Sequence, residues 1–275
     1  MIETIGKARP LVLVGAGKMG GAMLTGWLDR GLAAEAVVVI EPTPSAELMT
    51  LLAERGVAHA GAAPAGLTAG VLVLAVKPQV ADAVMDGLRS LVDAETLVVS
   101  VMAGKTIAGM RAHLGNGAIV RTIPNTPASV GRGITGVAAG EDVGPRARQL
   151  ATSLIASVGR VVWVDSEADI DVVTAVSGSG PAYVFHMVEA LAEAGRRAGL
   201  STDSAMQLAR ATVEGAGELL YQSPLDPATL RQNVTSPNGT THAALQVLMN
   251  ETSGLTSLMS AAVAAAAKRS RELAG

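Results

Sequence analysis

The sequence contains no cysteine, which excludes disulfide cross-links and thiolate metal sites at the outset. Aromatic residues are scarce as well: two tryptophans, two tyrosines and one phenylalanine. Hydrophobic residues nevertheless make up 49% of the chain. Its cores must therefore be built from Ala, Val, Leu, Met and Gly, with backbones packed close together. There is no excess of positive charge. Lys and Arg total 21 against 24 Asp and Glu, a net charge of −3 and a pI near 5.8, so no basic field exists to attract nucleic acid or anionic lipid. Long apolar runs are also missing, and the longest are of strand length, well short of the roughly 20 residues a membrane span requires. Lys7 and Arg9 precede the apolar Leu11–Val14 in the manner of a signal peptide, but Gly15, Gly17 and Lys18 break the run, which reads as a first strand. These absences point to a soluble, cytoplasmic chain with neither nucleic acid nor membrane as partner.

Some catalytic inventories are absent too. His59, His113, His186 and His242 are scattered, and His186 with Glu189 at helical spacing is the nearest approach to a ligand pair, so no metal site is expected. No serine has a nucleophile-elbow context, because Ser179 precedes a helix but follows no strand. A P-loop lysine is missing. Chemistry must then be borrowed from a cofactor, with the protein supplying position and polar contacts.

What is present begins with Leu11-Val-Leu-Val-Gly15-Ala16-Gly17-Lys18-Met19-Gly20. Four apolar strand-formers run directly into G-x-G-x-x-G. A buried strand ends in a tight turn at Gly15. Gly17 leaves the backbone bare for a pyrophosphate, and Gly20 allows the next helix to pack close to the strand. Met19, Ala22, Met23 and Leu24 then favour helix, and Gly31 stands where a C-terminal cap belongs. The free N–H groups and dipole of that helix face the phosphates. Residues 15–20 are thus read as dinucleotide-binding.

Length argues for two domains. Up to residue 164, continuous β-branched runs (Val37–Ile40, Val71–Val76, Leu97–Val101, Ile119–Thr122, with Ile134–Ala138 and Arg160–Val164 last) alternate with helical segments over 45–55, 79–91, 107–114 and 145–157. That alternation predicts an α/β, Rossmann-type doubly wound, mostly parallel sheet over residues 1–164. From residue 165 to 275 the strand signal vanishes, and an all-helical domain is expected. Val184, Met187, Val188 and Leu191 repeat at helical spacing, as do Ala209, Thr212, Val213, Ala216 and Leu220, and then Leu255, Leu258, Met259, Ala262, Val263 and Ala266. These stripes read as core, and their breadth also suits a face shared with a second subunit.

Several polar segments fall where such a sheet binds ligands. Glu41 ends the second strand about 20 residues after Gly20, where an acid accepts from an adenosine ribose 2′-hydroxyl. That favours NADH, whereas the hydroxyls of Thr43 and Ser45 suit a 2′-phosphate, so NADPH stays open. Ser45 also reads as a plain helix cap. Ala75-Val76-Lys77-Pro78 leaves a strand at its C-terminal end, and Val101-Met102-Ala103-Gly104 occupies the corresponding position after the next. The stretch Arg121–Gly133 is too polar and Pro-rich for core. Ser177-Gly178-Ser179-Gly-Pro181 and Thr235-Ser236-Pro-Asn238-Gly239-Thr240-Thr241 read as loops before helices, offering free amides and hydroxyls to a carboxylate.

Together these motifs resemble the pyrroline-5-carboxylate reductase family over nearly the whole chain. The resemblance rests on Gly15–Gly20, Ala75–Gln79, Arg121–Gly133, Thr174–Tyr183 and Leu230–Thr241. Departures are Asn238 in place of a second glycine, His242 in place of an aliphatic residue, and Ala62 in place of an asparagine. The resemblance implies hydride transfer from NADH or NADPH to the imine carbon of Δ1-pyrroline-5-carboxylate, giving L-proline. It implies that Thr241 hydrogen-bonds the ring nitrogen and that Ser236, Asn238, Gly239, Thr240 and Thr241, with Ser177, Gly178 and Ser179, hold the substrate. It further implies homodimers through the helical domain, with substrate between the nucleotide domain of one subunit and helices of its partner, and larger rings of dimers. Two other functions fit parts of the pattern. A β-hydroxyacid dehydrogenase would need a catalytic lysine between Ala182 and Leu200, where this chain has only Arg196 and Arg197 as cations. A dinucleotide sensor without turnover would have no need of the hydroxyl-rich loop before Ala243.

Overall fold

The computed structural model describes residues 2–274. Eight strands form one sheet in the order β3-β2-β1-β4-β5-β6-β7-β8: β1 Leu11–Val14, β2 Val37–Ile40, β3 Ala58–Ala60, β4 Val71–Leu74, β5 Leu97–Ser100, β6 Ala118–Ile123, β7 Gly133–Ala139 and β8 Gly159–Trp163. All neighbouring pairs are parallel except β6 and β7. The crossovers are α1 Lys18–Asp29, α2 Ala46–Arg55, α3 Ala81–Leu88, α4 Ile107–Leu114 and α5 Pro145–Ile155.

The central strands β1, β2 and β4 are apolar at every position because both faces are covered. Alternate side chains divide between two cores. Leu11, Leu13, Val37, Val39, Val71 and Val73 pack with Met23, Leu24 and Trp27 of α1, Leu48 and Leu52 of α2, and Leu154 of α5. Val12, Val14, Leu72, Leu74 and Val98 pack with Met85 and Leu88 of α3 and Met110 and Leu114 of α4. Trp27, fully buried, donates its indole N–H to the Leu154 carbonyl at 2.8 Å, tying α1 to α5. At the opposite edge from the cofactor motifs, Arg9 forks onto both oxygens of Asp93 at 2.9 and 2.6 Å. That hydrogen bond holds the Asp93 carboxyl well below the usual carboxylate range. Arg9 thus anchors the approach to β1.

The remaining helices are α6 Asp169–Val173, α7 Gly180–Arg197, α8 Thr202–Gln222, α9 Pro227–Asn233, α10 Thr240–Leu248 and α11 Leu255–Ala274. Two compact units result: residues 1–178 with 267–275, and Ser179–Ala266. The sequence expectation set the change of character at residue 164. Residues 165–178 count with the sheet because Ile170 is buried with Ile123 and Ala138.

The apolar stripes differ from the expectation that they are core. Within the single chain, Val184, Met187, Leu191, Leu220, Leu255 and Leu258 are all exposed, Leu258 by 64%. The helix pair α7 and α8 buries mainly small residues, Ala192, Ala205 and Ala209. Alanines bring the two backbones together, and the large side chains are left on the outside. No helix among the described residues is long and apolar enough to cross a membrane.

Candidate active site

In an open parallel sheet, ligands bind at the carboxyl ends of the strands where the order reverses. Here that point lies between β1, which leads to β2 on one side, and β4 on the other. Gly15 takes a positive φ of 83°, its amide bonded to the Ile40 carbonyl at 2.9 Å. A Cβ at Gly15 would stand 2.7 Å from the Ala75 carbonyl oxygen, and one at Gly20 would strike the Gly15 carbonyl. Gly17 is different: a Cβ there meets nothing within 4 Å. Gly15 and Gly20 are thus needed to close the turn, whereas Gly17 faces open space at the N-cap of α1, which has no side-chain cap. Uncapped amides beside a bare backbone form a cradle that fits a pyrophosphate.

A 540 Å³ cavity adjoins this turn. Gly15, Gly17, Glu41, Thr43, Ala75, Val76 and Lys77 line it, with Ile40, Ala62, Val80 and Val84 supplying apolar wall. A second cavity, of 680 Å³, lies along α1 and takes in Ala16, Lys18, Glu41, Thr43 and Ser45. Ten of the sequence-predicted cofactor residues therefore border two cavities that share Gly17, Glu41 and Thr43. Three other positions contribute less directly. Met19 packs partly against the core, Pro78 opens the short helical turn that leads into α3, and the Met102 side chain is fully buried in the second core. The Met102 N–H is buried as well, donating to Ser100 Oγ at 3.2 Å, and only Ala103 of this pair is exposed. Ser45 caps α2, accepting from the Leu48 N–H at 3.2 Å.

The segment Arg121–Gly133 corrects the expectation that it is too polar for core. Arg121 (side chain 4% exposed), Thr122 and Asn125 are buried. Most of their polar atoms bring partners with them, which is the condition for burial, while Arg121 Nε is buried without one. Arg121 Nη1 donates to Glu167 Oε1 at 2.9 Å, and that same oxygen accepts the Ile107 N–H at 2.7 Å. Glu167 thereby joins β6 to the start of α4, just beyond residues 102–103. Thr122 Oγ1 donates to the Ser100 carbonyl at 2.9 Å. Asn125 donates to the Ser177 carbonyl at 3.1 Å and accepts from the Ile134 N–H at 2.9 Å. Asn125 escaped the sequence reading, because a polar residue between two prolines carries no periodic signal.

The run around Ser177 is also corrected. It is no loop: residues 174–178 form one π-helical turn between α6 and α7. Ser177 Oγ donates back to the Val173 carbonyl at 3.0 Å. Such π-turns are frequent at functional sites because they break the helical ladder locally. Ser179 stands at the N-cap of α7 without making a side-chain cap, ahead of Pro181.

The Ser236–Thr241 segment is a turn leading into α10. Asn238 holds φ at +58°, a left-handed conformation that asparagine tolerates better than most residues. Gly239 is the N-cap and makes no side-chain cap; the first helical bond runs from the Ala243 N–H to the Gly239 carbonyl at 3.1 Å. The amides of Thr240, Thr241 and His242 thus precede the helix's own ladder. Before this turn, α9 was not anticipated, although Asp226 as N-cap and Pro227 at the first position carry its signal.

A switch-point cavity beside a glycine turn, on a doubly wound sheet followed by a helical half, defines a nicotinamide-dinucleotide-dependent oxidoreductase. Residues 10–104 match the family model described as NADP oxidoreductase, coenzyme F420-dependent, and residues 167–273 match that described as pyrroline-5-carboxylate reductase dimerisation. The chain is 39% identical over 267 residues to the pyrroline-5-carboxylate reductase of Pseudomonas aeruginosa, covering 96% of each chain. Among solved structures it resembles a pyrroline-5-carboxylate reductase from Coxiella burnetii (TM-score 0.89, 36% identity, 98% of this chain and 99% of that one). It also resembles the pyrroline carboxylate reductase of Plasmodium falciparum with NADP bound (TM-score 0.75, 25% identity, 97% and 98%). The chain belongs to the pyrroline-5-carboxylate reductase family.

Proposed function

We infer that this chain reduces Δ1-pyrroline-5-carboxylate to L-proline, the last step of proline biosynthesis, at the expense of NADH or NADPH. The observation that carries the reading is a switch-point dinucleotide cradle in a chain that also has an uncapped, hydroxyl-rich helix start at Ser236–Thr241 and matches pyrroline-5-carboxylate reductases over nearly its whole length.

When bound, the reduced nicotinamide supplies a hydride to the imine carbon, and the ring nitrogen gains a proton. A protonated imine is already electrophilic, so neither a metal nor a strong general acid is needed. The protein's task is positioning and charge compensation. Gly15–Gly20 seat the pyrophosphate on the N-terminus of α1, and Glu41, Thr43 and Ser45 surround the adenosine ribose. Ala75, Val76, Lys77 and Pro78, with Met102 and Ala103, border the path toward the nicotinamide. The amides and hydroxyls of Ser236, Asn238, Gly239 and Thr240 hold the substrate carboxylate, supported by Ser177, Gly178 and Ser179. The Thr241 hydroxyl hydrogen-bonds the ring nitrogen. Labour divides by domain: residues 1–164 bind the nucleotide, and residues 165–275 provide substrate contacts and the subunit interface.

The chain forms homodimers through its helical half, with rings of dimers as the further assembly, and it works in the cytoplasm. Broad exposed stripes on α7, α8 and α11 and the dimerisation family match support the homodimer. The test is turnover: purified protein should oxidise NADH or NADPH when pyrroline-5-carboxylate is added and stay silent with 3-hydroxy acids. Turnover with the hydroxy acids alone, or with neither substrate, overturns the reading.

A further inference from the structure

Glu41 is held more firmly than a residue that only waits for a ligand would be. Its main chain is fixed by β-pairing: its N–H donates to the Ala60 carbonyl at 3.1 Å, and its carbonyl lies 2.9 Å from His59 Nε2. Its carboxylate joins two turns. Oε2 accepts the Ala16 N–H of the glycine turn at 3.2 Å, and Oε1 accepts the Thr43 N–H at 3.3 Å. The carboxylate borders both cavities that flank the turn.

We propose that Glu41 makes this chain select NADH over NADPH, its clamped carboxylate accepting from a free adenosine 2′-hydroxyl and excluding a 2′-phosphate. The proposal rests on the reading that the two cavities take a nicotinamide dinucleotide, and it assigns which one.

Three observations support it. First, the sign of the charge is wrong for a phosphate. A 2′-phosphate adds about −1.5 to −2, yet the charged groups bordering the two cavities are Asp29, Glu41 and Glu47 against Lys18 and Lys77. The turn Glu41-Pro-Thr-Pro-Ser45 carries no Arg or Lys. Second, Ser45 is already occupied. Its Oγ accepts the Leu48 N–H at 3.2 Å as the N-cap of α2, and the Glu47 carboxyl, held below its usual range chiefly by its own backbone amide, borders the same cavity. A phosphate held at Ser45 would share that cavity with the carboxylates of Glu41 and Glu47. Thr43 then offers a single neutral hydroxyl, too little to offset two like charges. Third, the clamp is on the backbone, so Glu41 moves away only by breaking its bond to Ala16 in the pyrophosphate turn.

Calorimetric titration of the intact protein with NAD+ and NADP+, without substrate, tests this independently of turnover. NAD+ should bind at least about tenfold tighter, the scale of one like-charge contact at a partly exposed site. Glu41→Gln removes the charge and keeps the shape, and should raise NADP+ affinity enough to close most of that gap. Glu41→Ser should do the same if the glutamine variant folds poorly. The ratio of kcat/KM for NADH to that for NADPH should follow the binding ratio. NADP+ binding equal to or tighter than NAD+ in the unmodified protein overturns the proposal, as does a ratio unmoved in a folded Glu41 variant. Binding of neither nucleotide overturns the dinucleotide reading itself, and proline formation driven equally by both cofactors overturns the selectivity alone.

Discussion

Thr241 stands in the first turn of α10, just after the loop of residues 236–239, and its hydroxyl carries the proposed contact with the ring nitrogen. A lost hydrogen bond to a charged or polarised group costs about 1.5–3 kcal/mol, roughly 10- to 150-fold in rate. Thr241→Ala should lower kcat by that range and leave NAD+ affinity nearly unchanged. Thr241→Ser should recover most of the loss, and equal rates for the two variants would make the hydroxyl a structural feature only. The glycines separate in the same way. Gly17→Ala should fold with an unchanged melting temperature and lose nucleotide affinity, since its methyl group projects into empty space. Gly20→Ala should lower the melting temperature, because its methyl group meets the Gly15 carbonyl. Calorimetry and thermal melts read both. Glycine spacing was legible from sequence because each position follows from backbone geometry. The partners of Arg121 and Asn125 were not, because Glu167 and Ser177 lie 46 and 52 residues away and no local pattern encodes such pairs.

At the scale of elements, continuous β-branched runs marked seven of the eight strands, and β3 (Ala58–Ala60) was missed. Its Ala-His-Ala sequence has no β-branched residue and is held as an edge by pairing with β2. The helix α4 falls at residues 107–114 as expected, since Thr106 caps it by accepting from the Gly109 N–H at 3.0 Å. The π-turn at 174–178 could not be read, because Ser-Gly-Ser-Gly scores as loop while Ser177 returns its hydroxyl to the preceding helical turn. Helical periodicity placed α7, α8 and α11. It said which residues share a face and read that face as core, or as one shared with a second subunit; a single chain leaves it exposed, which fits the second reading.

That exposed face governs the molecule as a whole. Phe185, Leu219, Leu220, Val247 and Leu258 are each at least half exposed, more apolar surface than an isolated helical unit leaves to water. The protein should run as a dimer or a larger assembly in sedimentation at micromolar concentration. Leu258→Glu should shift it toward monomer and reduce turnover with it; a sharp monomer mass for the unmodified protein would contradict the homodimer. Above assembly stands the reaction. The most direct measurement of it follows the hydride itself: pyrroline-5-carboxylate is incubated with NADH deuterated at nicotinamide carbon 4 on the transferred face, and the product is read by mass spectrometry and NMR. The account expects L-proline with one deuterium on the ring carbon that bore the imine, formed in step with NAD+. Consumption of the cofactor without proline, or proline without that deuterium, would contradict it.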